Sequence, residues 1–206
     1  MIVAAPARAL AAALALSLSP VMSAGAGAAG DAPLPAPAGL PLPVALGGPF
    51  VLTDQTGARR SEADPEGRLQ LLFFGYANCR AICSVALPQM AGIAAALSDR
   101  GIPLRPVMVT VDPARDTVET IGPALARHSP DFVGLTGSPE DLARVQRLFA
   151  VESTLVYVDP FDGPVYAHGG FLYLLDGTGA FLTLLPPILS DDRIMDIIAA
   201  HHARRG

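Results

Sequence analysis

LQLLFFGYANCRAIC, residues 69–83, joins an apolar run to two cysteines that stand four residues apart. The run 69–74 is almost entirely apolar, which is typical of a strand that helices cover on both faces of a sheet. A helix is predicted from about Arg80 to Asp99, because apolar residues recur there at the spacing of one helix face. The two cysteines, Cys79 and Cys83, are therefore expected at a strand-to-helix junction.

The same alternation of strands and helices continues along the chain. Further strands are predicted at 50–54, 106–111, 132–135, 171–176 and 181–185, and further helices over 117–127, from Ser138 and from Ser190. Alternating elements imply an α/β layered domain. The last two strands flank a glycine-rich turn, so a hairpin adds an antiparallel edge to the sheet.

Composition narrows the class of protein. Of the 206 residues, 51% are hydrophobic and 16% are charged, so the chain carries enough apolar surface for a folded core. Residues 47–206 have the length of one domain with a proper core. The formal net charge is −5, and this lack of a basic footprint argues against nucleic acid as a partner.

The N-terminal residues have the pattern of a targeting segment. Residues 1–30 place Arg8 before an apolar run and then small residues, which is the order of a secretory signal. An uncleaved membrane anchor is the alternative. Residues 31–46 are rich in proline and are predicted to form a semi-rigid linker. We therefore expect a periplasmic domain, with a possible tether to the inner membrane.

The cysteine pair is better explained by chemistry than by architecture, since a domain of this size stabilises itself by burial. Asn78 is predicted to cap the helix, which places Cys79 in its first turn, where the helix terminus and Arg80 favour a thiolate. The spacing puts both sulfurs on one helix face, with Cβ atoms about 5–6 Å apart. The pair is then suited to share a metal ion or to form a disulfide.

The donor set indicates copper. Thiolates select copper(I), zinc or iron–sulfur clusters, but zinc and clusters normally take four protein ligands. Two cysteines with one or two histidines fit copper better. His168 is expected in a loop at the top of the sheet, where a histidine taken alone is more often a surface residue than a ligand. His128, His201 and His202 are predicted to be helix-end residues. Met90, Met108 and Met195 are predicted to pack in the core.

A second motif, residues 112–117 (DPARDT), follows the predicted strand 106–111. Functional groups in open α/β sheets gather beyond the carboxyl ends of the strands. An Arg–Asp pair in this motif is suited to order the loop beside the cysteines. A surface turn with a helix cap at Asp116 fits the composition equally well.

Together these motifs make the chain resemble the SCO/SenC family of copper-binding proteins. The resemblance rests on pieces in a fixed order: FVLTDQTG (50–57), FFGY (73–76), the pair Cys79 and Cys83, DPARDT (112–117), GLTG (134–137), and His168 ahead of YLLD (173–176). It departs from the family pattern at Arg80, Ala81 and Ser84, where Pro, Asp and Pro are usual.

The resemblance implies a thioredoxin-like, three-layer fold with a central mixed sheet, flanking helices, and a C-terminal hairpin and helix. It also implies a metallochaperone that takes copper to the CuA centre of cytochrome c oxidase, or keeps the cysteines of that centre reduced. The client would be a cuproprotein such as cytochrome c oxidase subunit II. The family's copper ligands carry over to Cys79, Cys83 and His168.

Two other activities remain open from the residues. In the first, Cys79 and Cys83 are the catalytic redox pair of an exported thiol–disulfide oxidoreductase that acts on a client protein. The position of Cys79 beside Arg80 motivates this hypothesis, because a neighbouring cation lowers a thiol pKa. In the second, a cysteine at the same helix start serves a peroxidase.

Overall fold

The computed structural model describes residues 45–77, Cys79, residues 83–186 and residues 188–204. The predicted signal at 1–30, almost all of the linker at 31–46, and the residues Asn78 and Arg80 lie outside this description. No helix within the described ranges combines the length and the apolar character needed to cross a bilayer.

The strands form a seven-stranded sheet and a separate two-stranded sheet. In chain order they are β1 (Val51–Asp54), β2 (Arg59–Ser61), β3 (Leu69–Gly75), β4 (Leu104–Thr110), β5 (Val133–Thr136), β6 (Ser153–Asp159), β7 (Gly163–His168), β8 (Leu172–Leu175) and β9 (Phe181–Leu185). The large sheet has the order β2-β1-β5-β4-β3-β8-β9, and β6 pairs with β7 alone. Parallel pairing of β3 with β4 and of β4 with β5, and antiparallel pairing elsewhere, make the large sheet mixed.

The helices are α1 (Cys83–Ser98), α2 (Val118–Ala126), α3 (Pro139–Leu148) and α4 (Asp191–Ala203). Helix α1 contacts β4 and α4, α2 contacts β5, and α3 contacts β1. All residues of β3 are buried, which requires cover on both faces of the sheet. The apolar face predicted for α1 is confirmed, since Ala86, Met90, Ile93 and Leu97 are all buried.

The predicted helix boundaries agree with the structure to within a few residues. Ser138 caps α3 by accepting a hydrogen bond from the Asp141 amide, and Ser190 caps α4 through the Arg193 amide. Gly101, expected to end α1, has a φ of +73°, a left-handed conformation that favours glycine. The described part of α1 begins at Cys83, so Cys79 lies ahead of it.

Three strands were not predicted: β2, β6 and β7. The strands β6 and β7 form a hairpin, residues 153–168, and β6 is exposed along most of its length. Its four consecutive apolar residues Leu155, Val156, Tyr157 and Val158 are each at least half exposed. Exposure on both faces removes the alternating pattern that identifies a strand in a sequence. The prediction that His168 lies in a loop is therefore wrong, because this residue ends β7.

Candidate metal centre

The two cysteines follow the carboxyl end of β3. Cys79 sits after a turn in which its amide donates to the carbonyl oxygen of Tyr76 at 3.2 Å, and Cys83 opens α1. Both residues are buried, with 7% of Cys79 and 1% of Cys83 exposed. The sulfurs are thus shielded from bulk water at the edge where parallel strands place functional groups.

Gly75 allows the chain to pass this close to Cys83. A Cβ atom on Gly75 would lie 2.5 Å from a ring carbon of Phe73 and 3.0 Å from Sγ of Cys83. Real Cβ contacts are longer than this, so only glycine fits without displacing a neighbour. The glycine of the FFGY motif thereby sets the position of the second sulfur.

His168 reaches the same place from the hairpin. Its Nε2 atom lies 3.5 Å from Sγ of Cys83. One donor atom from each of Cys79, Cys83 and His168 lies within 4.8 Å of the other two. The structure therefore brings together the three residues that the sequence singled out.

Aromatic rings hold the imidazole in place. Phe73 and Tyr76 each pack edge-on against the His168 ring, with ring centroids 5.8 Å away in both cases. The Nδ1 atom lies 3.2 Å from the carbonyl oxygen of Gly169. In the tautomer with a proton on Nδ1, this atom donates to Gly169 and leaves the Nε2 lone pair aimed at the sulfurs.

The electrostatics of the pair favour a protonated Cys83. A hydrogen bond with the Cys79 side chain, followed by burial, raises the pKa of the Cys83 thiol well above its ordinary value. Burial also raises the pKa of Tyr76 to about 12, so its hydroxyl stays neutral. A metal ion that binds Cys83 must therefore displace a proton from it.

The chain is similar to proteins of one family along most of its length. The SCO1/SenC family model matches residues 40–203. The chain belongs to the SCO1/SenC family. An SCO2-like protein of Rickettsia conorii is 36% identical over 141 residues, which is 68% of each chain. The human mitochondrial SCO1 homologue is 33% identical over 158 residues, which is 76% of this chain and 52% of the human protein.

Solved structures of SCO proteins share the fold. The copper-bound ScoI of Arabidopsis thaliana superposes with a TM-score of 0.72 at 28% identity, over 77% of this chain and 99% of that one. Copper-bound yeast Sco1 gives a TM-score of 0.70 at 31% identity, over 78% of this chain and 90% of the yeast chain. The predicted thioredoxin-like α/β fold, with its mixed sheet, flanking helices and C-terminal hairpin and helix, is confirmed.

In this SCO1/SenC protein the DPARDT motif supports the cysteines from β4. The Asp116 carboxylate accepts hydrogen bonds from the Ala77 amide at 3.0 Å and from the Thr110 hydroxyl at 2.7 Å. It thereby fixes the turn that leads to Cys79. The alternative prediction of a helix cap at Asp116 is wrong, because Thr117 is the N-cap of α2. Burial raises the pKa of Asp116.

The predicted Arg–Asp pair of the same motif is present. The Arg115 guanidinium bonds the Asp112 carboxylate, and it also donates to two backbone carbonyls of the hairpin, those of Asp162 and Pro164. Sequence reasoning did not find Tyr76 as a site residue. Its ring contacts His168 and Tyr166, and its hydroxyl accepts from the Tyr166 amide at 3.4 Å. Its place between a buried strand and the cysteines was the available signal.

The remaining donors lie apart from this cluster in the described ranges. His128 packs edge-on against Phe132 after α2, while His201 and His202 occupy the last turn of α4. The three methionines predicted to pack in the core are buried, as expected: Met90, Met108 and Met195. Two thiols and an imidazole are the donors that copper prefers, so the residues present fit this metal.

Proposed function

We propose that the protein is a copper metallochaperone that binds copper through Cys79, Cys83 and His168. The observation that carries the proposal is the approach of two sulfurs and an imidazole nitrogen to within 4.8 Å of one another. Two similar solved structures, those of Arabidopsis thaliana ScoI and yeast Sco1, have copper bound. Family membership supports delivery to the CuA centre of cytochrome c oxidase, with subunit II as the client.

Loading and release follow from the donor chemistry. Copper binds the thiolate form of Cys79 and Cys83, so each thiol that enters the site as S–H gives up its proton to solvent. The imidazole of His168 supplies the third donor through the lone pair of a ring nitrogen. Three protein donors leave copper open to attack by the cysteines of a client, which take the ion by stepwise ligand exchange.

We propose further that the protein acts in the periplasm. The signal-like residues 1–30 support export or anchoring, and the proline-rich residues 31–46 support a spacer between the membrane and the domain formed by residues 47–206. The acidic net charge of −5 suits a soluble domain that meets cations.

A thiol–disulfide oxidoreductase is the second candidate. The hydrogen bond between the side chains of Cys79 and Cys83 favours it, because such a pair closes to a disulfide with little movement. In that reaction the client disulfide gains two electrons and two protons and becomes two thiols. Cys79 and Cys83 lose the same number and form a disulfide.

Copper titration of the reduced protein tests the proposal and separates the two candidates. The variants are Cys79→Ser, Cys83→Ser and His168→Ala, with His128→Ala as a histidine control away from the cluster. We expect a sulfur-to-copper(II) charge-transfer band in the wild type and in the His128 variant. His168→Ala should weaken copper(II) binding and leave disulfide exchange with a model substrate intact.

Loss of either cysteine should abolish both activities. A wild-type protein that shows no charge-transfer band and no tight copper(I) binding would contradict the chaperone proposal. Disulfide exchange that persists in that protein would leave the oxidoreductase as the better account.

A further inference from the structure

His168 lies on a strand that does not belong to the main sheet. The hairpin β6–β7 forms a two-stranded sheet of its own, and the seven-stranded sheet includes neither strand. A two-stranded hairpin is marginally stable in water by itself. Side-chain contacts must therefore hold it against the domain if the imidazole is to stay beside the sulfurs.

We propose that Arg115 is the positioning residue that fastens this hairpin to the domain and so holds His168 at the cysteine pair. The inference rests on the proposed copper function. We call the guanidinium of Arg115 and the carbonyl groups of Asp162 and Pro164 the Arg115 clamp. One arm donates to Asp162, and Nη2 donates to the Pro164 carbonyl at 2.6 Å.

On the domain side, the Arg115 guanidinium contacts a buried carboxylate and an aromatic ring. The Nε atom of Arg115 bonds the carboxylate of Asp112, a residue that is 1% exposed and lies just after β4. The guanidinium carbon lies 5.5 Å from the centre of the Tyr76 ring, in the position of a cation–π contact. The Asp112 carboxylate and the Tyr76 ring thus orient the guanidinium independently of its contacts with the hairpin.

On the hairpin side, a glycine in the turn leaves space for the guanidinium. Gly163, between the two carbonyl-bearing residues, has a φ of +76°, which favours glycine. A Cβ atom there would lie 2.8 Å from Nη1 of Arg115. The turn therefore has room for the guanidinium because its central residue carries no side chain.

The clamp is connected to the imidazole through one face of β7. Side chains at alternate positions of a strand share a face, so Pro164, Tyr166 and His168 lie on the same side. The Tyr166 ring packs edge-on against Tyr76 at 5.6 Å, and the His168 ring packs against the same Tyr76 at 5.8 Å. Fixing the turn at Pro164 thereby fixes both rings against Tyr76 and, with them, the imidazole beside Cys83.

The proposal and simple charge repulsion predict opposite changes in copper affinity when the Arg115 side chain is replaced. A guanidinium near a copper site disfavours the cation, so removing its charge alone would raise copper affinity. Removing a clamp would lower it, because the imidazole would lose its position. Outer contacts that orient a metal ligand typically contribute about 10–100-fold to affinity.

The test compares Arg115→Gln, Arg115→Lys and the double variant Arg115→Gln/His168→Ala with the wild type and with His168→Ala. Arg144→Gln is the matched control, since Arg144 forms an exposed ion pair with Asp141 on α3. Copper(II) and copper(I) affinities are measured by competition with chelators. Hydrogen exchange of the backbone amides of residues 153–168 is measured in the metal-free protein.

We expect Arg115→Gln to weaken copper(II) binding roughly tenfold or more and to change copper(I) binding much less. Arg115→Lys should recover only part of the loss, because an ammonium group lacks the forked donors. Arg115→Gln should have no further effect in the His168→Ala background. Hairpin amides should exchange faster in Arg115→Gln, and Arg144→Gln should match the wild type in every measurement.

The inference is overturned if Arg115→Gln keeps wild-type copper(II) affinity while His168→Ala loses it, an outcome that leaves the copper function standing. Full recovery by Arg115→Lys, or additive losses in the double variant, would also overturn it. If the wild type binds no copper, the proposed function fails, and hydrogen exchange of the hairpin amides in Arg115→Gln decides on the clamp. Exchange at the wild-type rate rejects the clamp, and faster exchange supports it. If Arg115→Gln does not fold, Arg115→Lys decides, and wild-type copper(II) affinity in that variant rejects the clamp.

Discussion

The Nε2 atom of His168 lies 3.5 Å from Sγ of Cys83, although 85 residues separate the two along the chain. At this separation the two atoms are close enough to bind the same metal ion. The hydrogen bond with Cys79 and burial keep a proton on Cys83 by raising its thiol pKa. Copper must displace it, which makes binding sensitive to pH.

Copper affinity should therefore rise with pH. Because the Cys83 pKa is raised, the free protein holds this proton at neutral pH, and binding releases it. One proton released per ion raises the apparent affinity about tenfold for each pH unit. Competition titrations between pH 6 and 8 measure the slope. An affinity that is independent of pH in this window would show that Cys83 is not deprotonated on binding.

Asp116 should contribute to stability through its hydrogen bonds and not through its charge. Burial raises its pKa, so the carboxylate form is disfavoured in the fold relative to the unfolded chain, and this cost is present above the folded-state pKa. Asp116→Ala removes the acceptor of the Ala77 and Thr110 bonds and should cost about 1–3 kcal/mol.

Asp116→Asn keeps an acceptor oxygen and removes the buried charge. At pH 7 this variant should therefore be much closer to the wild type than Asp116→Ala. Urea unfolding measures both variants. Equal destabilisation by Ala and Asn would show that the negative charge itself is required.

Gly75→Ala should disturb the second sulfur. The new methyl group would meet Phe73 and Sγ of Cys83 at less than ordinary contact distance, and overpacking of this kind costs about 1–3 kcal/mol. We expect a lower Tm and weaker copper binding, because Cys83 must shift. Circular dichroism melting and copper titration measure the two effects.

Gly92 provides the control for that substitution. It lies on the exposed side of α1, and a Cβ atom there would meet nothing within 4 Å. Gly92→Ala should stabilise the protein by roughly 0.5–1 kcal/mol, since alanine restricts the unfolded chain and favours a helix. Copper binding should not change. A stabilised Gly75→Ala variant would contradict the close packing described at β3.

Tyr76 should act through its ring more than through its hydroxyl. Tyr76→Phe removes the acceptor of the Tyr166 amide and should cost about 1 kcal/mol, but it keeps the ring that packs on His168. Tyr76→Ala removes the ring and should cost about 3–5 kcal/mol. The copper(II) charge-transfer band should persist in Tyr76→Phe and fade in Tyr76→Ala. Loss of the band in both variants would assign the role to the hydroxyl.

Local patterns were sufficient to predict the part of the fold that carries the cysteines. The strands β3 and β4 are mostly apolar, and α1 has a clear apolar face, so burial specifies these elements. The capping serines of α3 and α4 also have unambiguous local chemistry. These elements depend on residues near one another in the chain, which is what a sequence pattern records.

The rest of the site depends on distant contacts. The hairpin β6–β7 has no alternating pattern, and it meets the domain through Arg115 and Tyr76, which are far from it in sequence. The place of His168 before a predicted strand singles it out, but only the family resemblance favours it as a ligand over a surface residue. Composition alone fits a helix cap at Asp116, because nothing local reveals that its carboxylate accepts a hydrogen bond from the amide of Ala77, 39 residues earlier.

Because β6 and β7 form a separate sheet, the sulfur donors and the nitrogen donor are attached to different parts of the fold. Cys79 and Cys83 follow the fully buried β3, and Cys83 opens α1, whereas His168 ends a strand that lies outside the main sheet. If β7 moved away from the cysteines, the site of three donors would become a site of two thiolates. Copper(II) would then lose its imidazole ligand, while copper(I) would keep the sulfur ligands that it prefers.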